Sequence, residues 1–187
     1  MFKRILLTFS LLLGSGCPLS LRAETSRAVD PYDLEAAYLV HFLEFVDWPA
    51  GTFADPKAPF VIGILGEDPF GNRLAHLTEG RLINQRPVVL KHFGRFDPGD
   101  EDTLKTCHIL FVAESEKGRL STILKLVRRA PVLTVSEIEK FPLFGGILGF
   151  DQEGRKIHLS LNPKAAKSAQ LKVSARLAQV CKTYRED

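Results

Sequence analysis

From residue 30 onward the apolar positions alternate between one long helical stretch and short apolar runs separated by amphipathic segments. Asp30-Pro31 supplies a cap and a first-turn proline, and the segment Tyr32–Pro49, YDLEAAYLVHFLEFVDWP, reads as a helix. At the helical repeat of about 100° per residue, Asp33, His41, Glu44 and Asp47 fall on one narrow polar stripe, and Glu35 stands apart from it. Leu34, Tyr38, Phe42 and Phe45 share a face expected to pack on a sheet, and Leu39, Val40, Leu43 and Val46 widen it. A helix this apolar needs cover on more than one side. The second flank, at Leu39, Leu43 and Val46, is therefore either core or a candidate surface for a partner or a second copy. Pro49 disfavours helical geometry at Trp48, so the helix is predicted to stop there.

Four short apolar runs follow as predicted strands: Phe60–Leu65, Pro87–His92, His108–Val112 and Pro131–Val135. Helical segments are predicted between them: from Asp68-Pro69 to about Glu79, and from a Ser115 cap through Arg129 with a stripe at Leu120, Ile123, Leu124 and Val127. Ser136-x-x-Glu139 has the form of a capping box for a short helix. After Gly145-Gly146, Ile147–Asp151 and Lys156–Leu161 flank a Gln152-Glu153-Gly154 turn, with Ile157, Leu159 and Leu161 alternating with polar residues as in an antiparallel hairpin. Asn162-Pro163 begins one more helix, and Ser174 another through Tyr184. This alternation predicts an α/β fold: a three-layer α/β/α sandwich with a mostly parallel sheet and an antiparallel C-terminal hairpin. No repeat or long linker divides it, so one domain is expected.

The first residues change the chemical picture. Lys3 and Arg4 precede an apolar Ile5–Leu13, and Leu21-Arg22-Ala23 suits cleavage after Ala23, so residues 1–23 read as an export signal. Lipidation at Cys17 is the lesser alternative, because Gly14 stands where a lipobox wants Leu. The whole chain carries 25 Lys and Arg against 22 Asp and Glu; removal of Lys3, Arg4 and Arg22 brings the balance to zero. Nothing in that balance argues for nucleic acid, and no later run is long enough to insert into a membrane. The acidic loop Asp97, Asp100, Glu101 and Asp102 and the basic tail read as solvated surfaces. Cys107 and Cys181 remain as a candidate disulfide in an oxidising compartment, the alternative being two unrelated thiols.

Catalytic chemistry is not evident. Gly66-Glu67-Asp68-Pro69-Phe70-Gly71 follows a strand but continues with Asn72-Arg73 in place of the Lys-Ser/Thr of a phosphate loop. His41, His76, His92, His108 and His158 show no metal-ligand spacing, and Ser115 lacks a Gly-x-Ser-x-Gly elbow. No catalytic residue, metal or cofactor is assigned.

AAYLVHFLEFVDWP at Ala36–Pro49, PFVIGILGEDPFG at Pro59–Gly71, INQRPVVLKHF at Ile83–Phe93, CHILFVAES at Cys107–Ser115, PVLTVSE at Pro131–Glu137 and the segment Gly145–Leu177 occur in an order that resembles the YfiR-like family of periplasmic regulators. The resemblance covers nearly all of residues 24–187, which it implies form a single YfiR-like α/β domain. It also implies a non-catalytic protein that represses a membrane-bound diguanylate cyclase by binding its periplasmic portion, lowering cyclic-di-GMP output. Three departures stand out: Gln85 where the family commonly has Gly, Gly149 where Asn is frequent, and no cysteine pair around the hairpin.

Two other functions compete with that reading. One is a small-ligand sensor acting through a different membrane partner. Its ligand would sit beyond the strand ends at Gly66–Gly71 and Ala113–Ser115, or on a patch of Asp47, Trp48, Lys172 and Ser174 if the fold brings them together. The other is a hydrolase, which would need Ser115 to meet a histidine in a deep pocket. A homodimer is compatible with the first two.

Overall fold

Asp30 accepts a hydrogen bond from the Tyr32 N–H at 2.9 Å and opens α1, Pro31–Phe45, as its sequence predicts. The structure, a computed structural model, describes residues 30–154 and 156–184. The expected export signal at residues 1–23 and its Cys17 alternative lie outside the described residues. α1 ends earlier than Trp48, because Val46–Asp47 leaves the helix as a two-residue strand, β1.

Next come β2 (Phe60–Leu65), α2 (Arg73–Thr78), β3 (Leu82–Ile83), β4 (Arg86–Phe93), α3 (Glu101–Leu104), β5 (Ile109–Val112), α4 (Leu120–Val127) and β6 (Leu133–Ser136). The chain ends with β7 (Leu148–Glu153), β8 (Lys156–Leu161), α5 (Pro163–Ser168), β9 (Lys172–Val173), α6 (Ala175–Val180) and β10 (Cys181–Thr183). Eight strands form one sheet in the order β10-β8-β7-β6-β5-β2-β4-β3. Its pairings are parallel except at the expected hairpin β7–β8 and at β3–β4. One face carries α1 with Phe42, Ile62, Phe111, Val135 and Phe150; the other carries α4 with Leu110, Ile123, Val127 and Phe141. The three-layer α/β/α architecture is the one the alternation predicts. Among the described residues no helix is long and apolar enough to cross a membrane.

Several local expectations fail where tertiary partners claim the cap. Ser115 does not cap α4: its hydroxyl accepts the Glu67 N–H at 2.9 Å, and a 3-10 turn spans Glu114–Arg119 before α4 begins. Ser136 starts no helix; it accepts the Ile138 N–H at 3.0 Å while donating to the Val112 carbonyl at 2.6 Å across the sheet. Asp68 closes a tight turn by accepting the Phe70 N–H, and α2 starts only at Arg73. The last helix stops at Val180, because Cys181–Thr183 adds a parallel edge strand to β8.

Two of the three sequence departures, Gln85 and Gly149, have structural reasons. Asn84 and Gln85 both lie in the left-handed region, at φ 49° and 65°, in the tight turn joining β3 to β4. A left-handed non-glycine residue costs about 1–2 kcal/mol, which is the reason Gly suits position 85. At Gly149 a Cβ would lie 2.6 Å from the Ser160 hydroxyl and 3.0 Å from Pro142, so this packing admits no side chain.

Candidate functional site

Leu39 and Leu43 are fully buried and Val46 is 4% exposed. The candidate partner surface is thus core, a correction whose reason is that this flank joins the cluster formed with Phe60, Ile62, Ile64 and Phe111 of the sheet. The flank that keeps exposure is the one expected to face the sheet. Phe42 is buried there, in a ring series with Tyr38 and Phe150 at centroid separations of 6.0–6.1 Å, but Tyr38 and Phe45 are only half-buried and Leu34 is 38% exposed. Tyr38, Phe42 and Phe45 of α1, Leu159 of β8, and Leu177 and Val180 of α6 line a groove of about 380 Å³, with His41, Glu44 and Arg176 at its edge. Val180, on its rim, is 67% exposed. The sequence signal was there, in the apolar ring around the helix, but periodicity does not say which side of that ring goes uncovered.

The candidate ligand patch is brought together in part. β1 and β9 pair antiparallel, Asp47 opposite Lys172, and Ser174 N–H donates to the Phe45 carbonyl at 2.9 Å. The Ser174 hydroxyl is occupied as the cap of α6, accepting from Leu177 N–H at 3.3 Å. Trp48 turns inward. Its ring lies 5.4 Å from Phe60 and 5.8 Å from His108, and Phe53 stacks on His108 at 4.5 Å under the Arg86 guanidinium. His108 Nδ1 accepts the Val61 N–H at 3.0 Å, which leaves the neutral ring's proton on Nε2. That Nε2 and Trp48 Nε1 are buried without a hydrogen-bond partner among the described residues. Burial first, then Arg86, lowers the His108 pKa to about 4.

The cysteines do not pair. Cys107 lies just before β5 and Cys181 on β10, and both thiols are free. Four strand spacings separate those strands in the sheet, roughly 19 Å, whereas bridged Cα atoms lie within about 7 Å.

The crevice at the sheet's switch point, between the ends of β2 and β5, is filled. Ser115 holds Glu67 there, and a Cβ on Gly66 would fall 2.5 Å from the Ser115 hydroxyl. Among the described residues no group of three His, Cys, Asp or Glu is placed to hold a metal. One residue set apart in the sequence proves unusual: Glu35 is 5% exposed and its Oε2 has no partner. Burial above all, then Glu137 and Asp30, raises its pKa to about 8. Glu137 hydrogen-bonds Tyr32 and is itself raised by burial, while Arg73 binds Asp30 at 2.5 Å and Asp33 at 2.6 Å. Among the described residues no charged partner offsets Glu35, and with its pKa raised to about 8 it is held protonated at neutral pH.

A family model described as YfiR/HmsC-like matches residues 32–182. No curated protein matches the chain. Among solved structures it is similar to a conserved domain protein from Vibrio cholerae O1 biovar El Tor strain N16961, with 11% identity and a TM-score of 0.52, covering 83% of this chain and 60% of that one. At that identity the likeness concerns the fold alone, and this chain spans less than two thirds of the other's length.

Proposed function

The chain belongs to the YfiR/HmsC-like family of periplasmic regulators, and from that premise we propose that it binds and represses a membrane-bound diguanylate cyclase, contacting the cyclase's periplasmic portion and lowering cyclic-di-GMP signalling. In this reading residues 1–23 are removed on export and residues 24–187 act as one unit. The observation that carries the reading is the apolar groove between α1 and α6. It leaves Tyr38 and Phe45 in contact with solvent on a helix whose other flank is fully covered, with Val180 of α6 exposed across from them. Grooves lined this way suit an apolar segment of a protein partner, and His41, Glu44 and Arg176 at the edge supply charges that would set its orientation.

In a host that carries the matching cyclase, deleting the gene should raise cyclic-di-GMP and biofilm. Complementation with Val180→Asp should leave cyclic-di-GMP high although the protein accumulates folded, since Val180 is largely exposed. An unchanged cyclic-di-GMP level on deletion would defeat the proposal. If Val180→Asp instead converted a dimer to a monomer without affecting repression, the groove would be a self-association surface.

A further inference from the structure

β4 runs eight residues, Arg86–Phe93, and its two sides are covered unequally. On the inner side β2 pairs with it from Val88 to Phe93. On the outer side β3 reaches only Arg86 and Pro87. Among the described residues no strand pairs with β4 on that side beyond Pro87. One bond fixes the direction of the free groups. The Phe93 carbonyl accepts the Gly66 N–H at 3.1 Å, on the β2 side. Along a strand the backbone groups of successive residues point alternately to its two neighbours. Val89 and Lys91 therefore face β2 together with Phe93, and Val88, Leu90 and His92 turn their N–H and C=O outward.

One face beside this edge is apolar. Leu82 of β3 stands opposite Pro87, and Val61 of β2 opposite Val89. Pro87 and Val89 are two residues apart, so all four side chains share one face of the sheet. Leu82 is 62% and Val89 41% exposed there. The next residue on that face, Lys91, is half-buried and has no ion-pair partner among the described residues. Open edges are normally blunted by a proline or a charge. Pro87 blunts nothing here, because it lies where β3 already covers the edge. Lys91 is the remaining guard, and it turns away a strand unless that strand carries an acid beside it. A second copy supplies none. Antiparallel pairing of two β4 strands about Leu90 sets each Lys91 opposite Val89, and pairing about Lys91 sets the two lysines together.

We propose that the outer edge of β4 at Val88–His92 takes an extended strand of a protein partner, with an acidic residue beside Lys91 and an apolar one beside Val89. The backbone groups of Val88, Leu90 and His92 hold that strand, and the two side-chain positions select it. β4 and β8 stand five strand positions apart in the sheet, roughly 24 Å. The edge is therefore separate from the groove at α1 and α6, and the proposal stands if the cyclase-binding reading fails.

The probe is the blocked peptide acetyl-Thr-Val-Thr-Glu-Thr-Val-Thr-amide, which reads the same in both directions, added to the isotope-labelled chain. The amide resonances of Val88, Leu90 and His92 should shift saturably and gain protection from hydrogen exchange. Those of Val89 and Lys91, which face β2, should be protected without the peptide. The same peptide with Lys in place of Glu should bind more weakly by roughly threefold or more, and Lys91→Glu should reverse that order. His92→Pro should abolish binding with circular dichroism unchanged, because the His92 N–H faces outward and an edge proline blocks pairing without removing a bond of the sheet. Val180→Asp, in the groove, should bind the peptide as the native chain does. No saturable shift, a response that does not alternate along β4, or equal binding of the two peptides would overturn the proposal. So would protection of the Leu90 amide without peptide that fades on dilution, which would assign the edge to a second copy.

Discussion

Replacing Glu35 by glutamine should make the protein progressively more stable relative to the native chain as pH rises from 4.5 to 8. The reason is linkage. Glu35 ordinarily would titrate near 4.5, but in the folded chain burial, Glu137 and Asp30 hold its pKa at about 8. Between those values the unfolded chain releases a proton that the folded one keeps. The contribution of Glu35 to stability is therefore fully present below pH 4.5 and is lost as pH rises toward 8. Each pH unit in that window costs up to about 1.4 kcal/mol, so the loss by pH 8 is of order 3–5 kcal/mol, a large part of the ~5–15 kcal/mol that holds a domain folded. Glutamine cannot ionise, so Glu35→Gln abolishes this slope. Its amide, which also lacks a partner, adds a fixed term that displaces both ends equally. Trp48, the single tryptophan, reports unfolding by fluorescence. At a urea dependence of about 2 kcal/mol/M, the difference between variant and native midpoints should change by roughly 2 M between pH 4.5 and pH 8. A midpoint difference that stays constant across that range would refute the argument and mean that water or a partner reaches Glu35.

The Glu35→Gln background should also expose an opposite slope from His108: with its pKa lowered to about 4 by burial and Arg86, the stability it contributes is present above pH 6.5 and is lost as pH falls, and a variant whose midpoint is flat from pH 7 to 4 would argue against a neutral buried imidazole. Leu43→Ala should cost about 2–5 kcal/mol and Leu43→Asp should unfold the chain, whereas Val180→Asp should keep the native circular dichroism; a folded Leu43→Asp protein would return that flank to the surface. Gln85→Gly should raise stability by up to about 1 kcal/mol by relieving the left-handed strain, read as a higher urea midpoint, and a lower midpoint would count against the turn geometry. Burial pushes the Cys107 and Cys181 thiols up to about 11, so both should react slowly with a thiol reagent in the native protein and fully in urea without reductant; a peptide pair linking them by mass spectrometry would contradict their separation in the sheet.

The element order was legible because it rests on local chemistry. Asp30, Asn162 and Ser174 cap the helices they precede, at 2.9, 2.9 and 3.3 Å, since each cap involves only neighbouring residues. Ser115, Ser136 and Asp68 have the same residue chemistry, yet Ser115 and Ser136 bond across the sheet and Asp68 closes a turn. A side-chain oxygen takes the donor the fold brings nearest, and sequence spacing does not name it.

Hydrophobic periodicity by itself marked a helix apolar on most sides from Pro31, carried too far to Trp48, an alternation of apolar runs and helices around a mostly parallel sheet, and a hairpin over residues 147–161. It also marked Glu35 as the acid outside the polar stripe. Only the tertiary structure decided which flank of the helix is covered: Leu39, Leu43 and Val46 join the core cluster with Phe60, Ile62 and Phe111 of the sheet, and Tyr38 and Phe45 are left to line a groove with Val180. It likewise set Cys107 far from Cys181 and, among the described residues, left the outer side of β4 unpaired beyond Pro87. Periodicity is a property of one segment, whereas cover, distance and cavity arise from where separate segments come to rest.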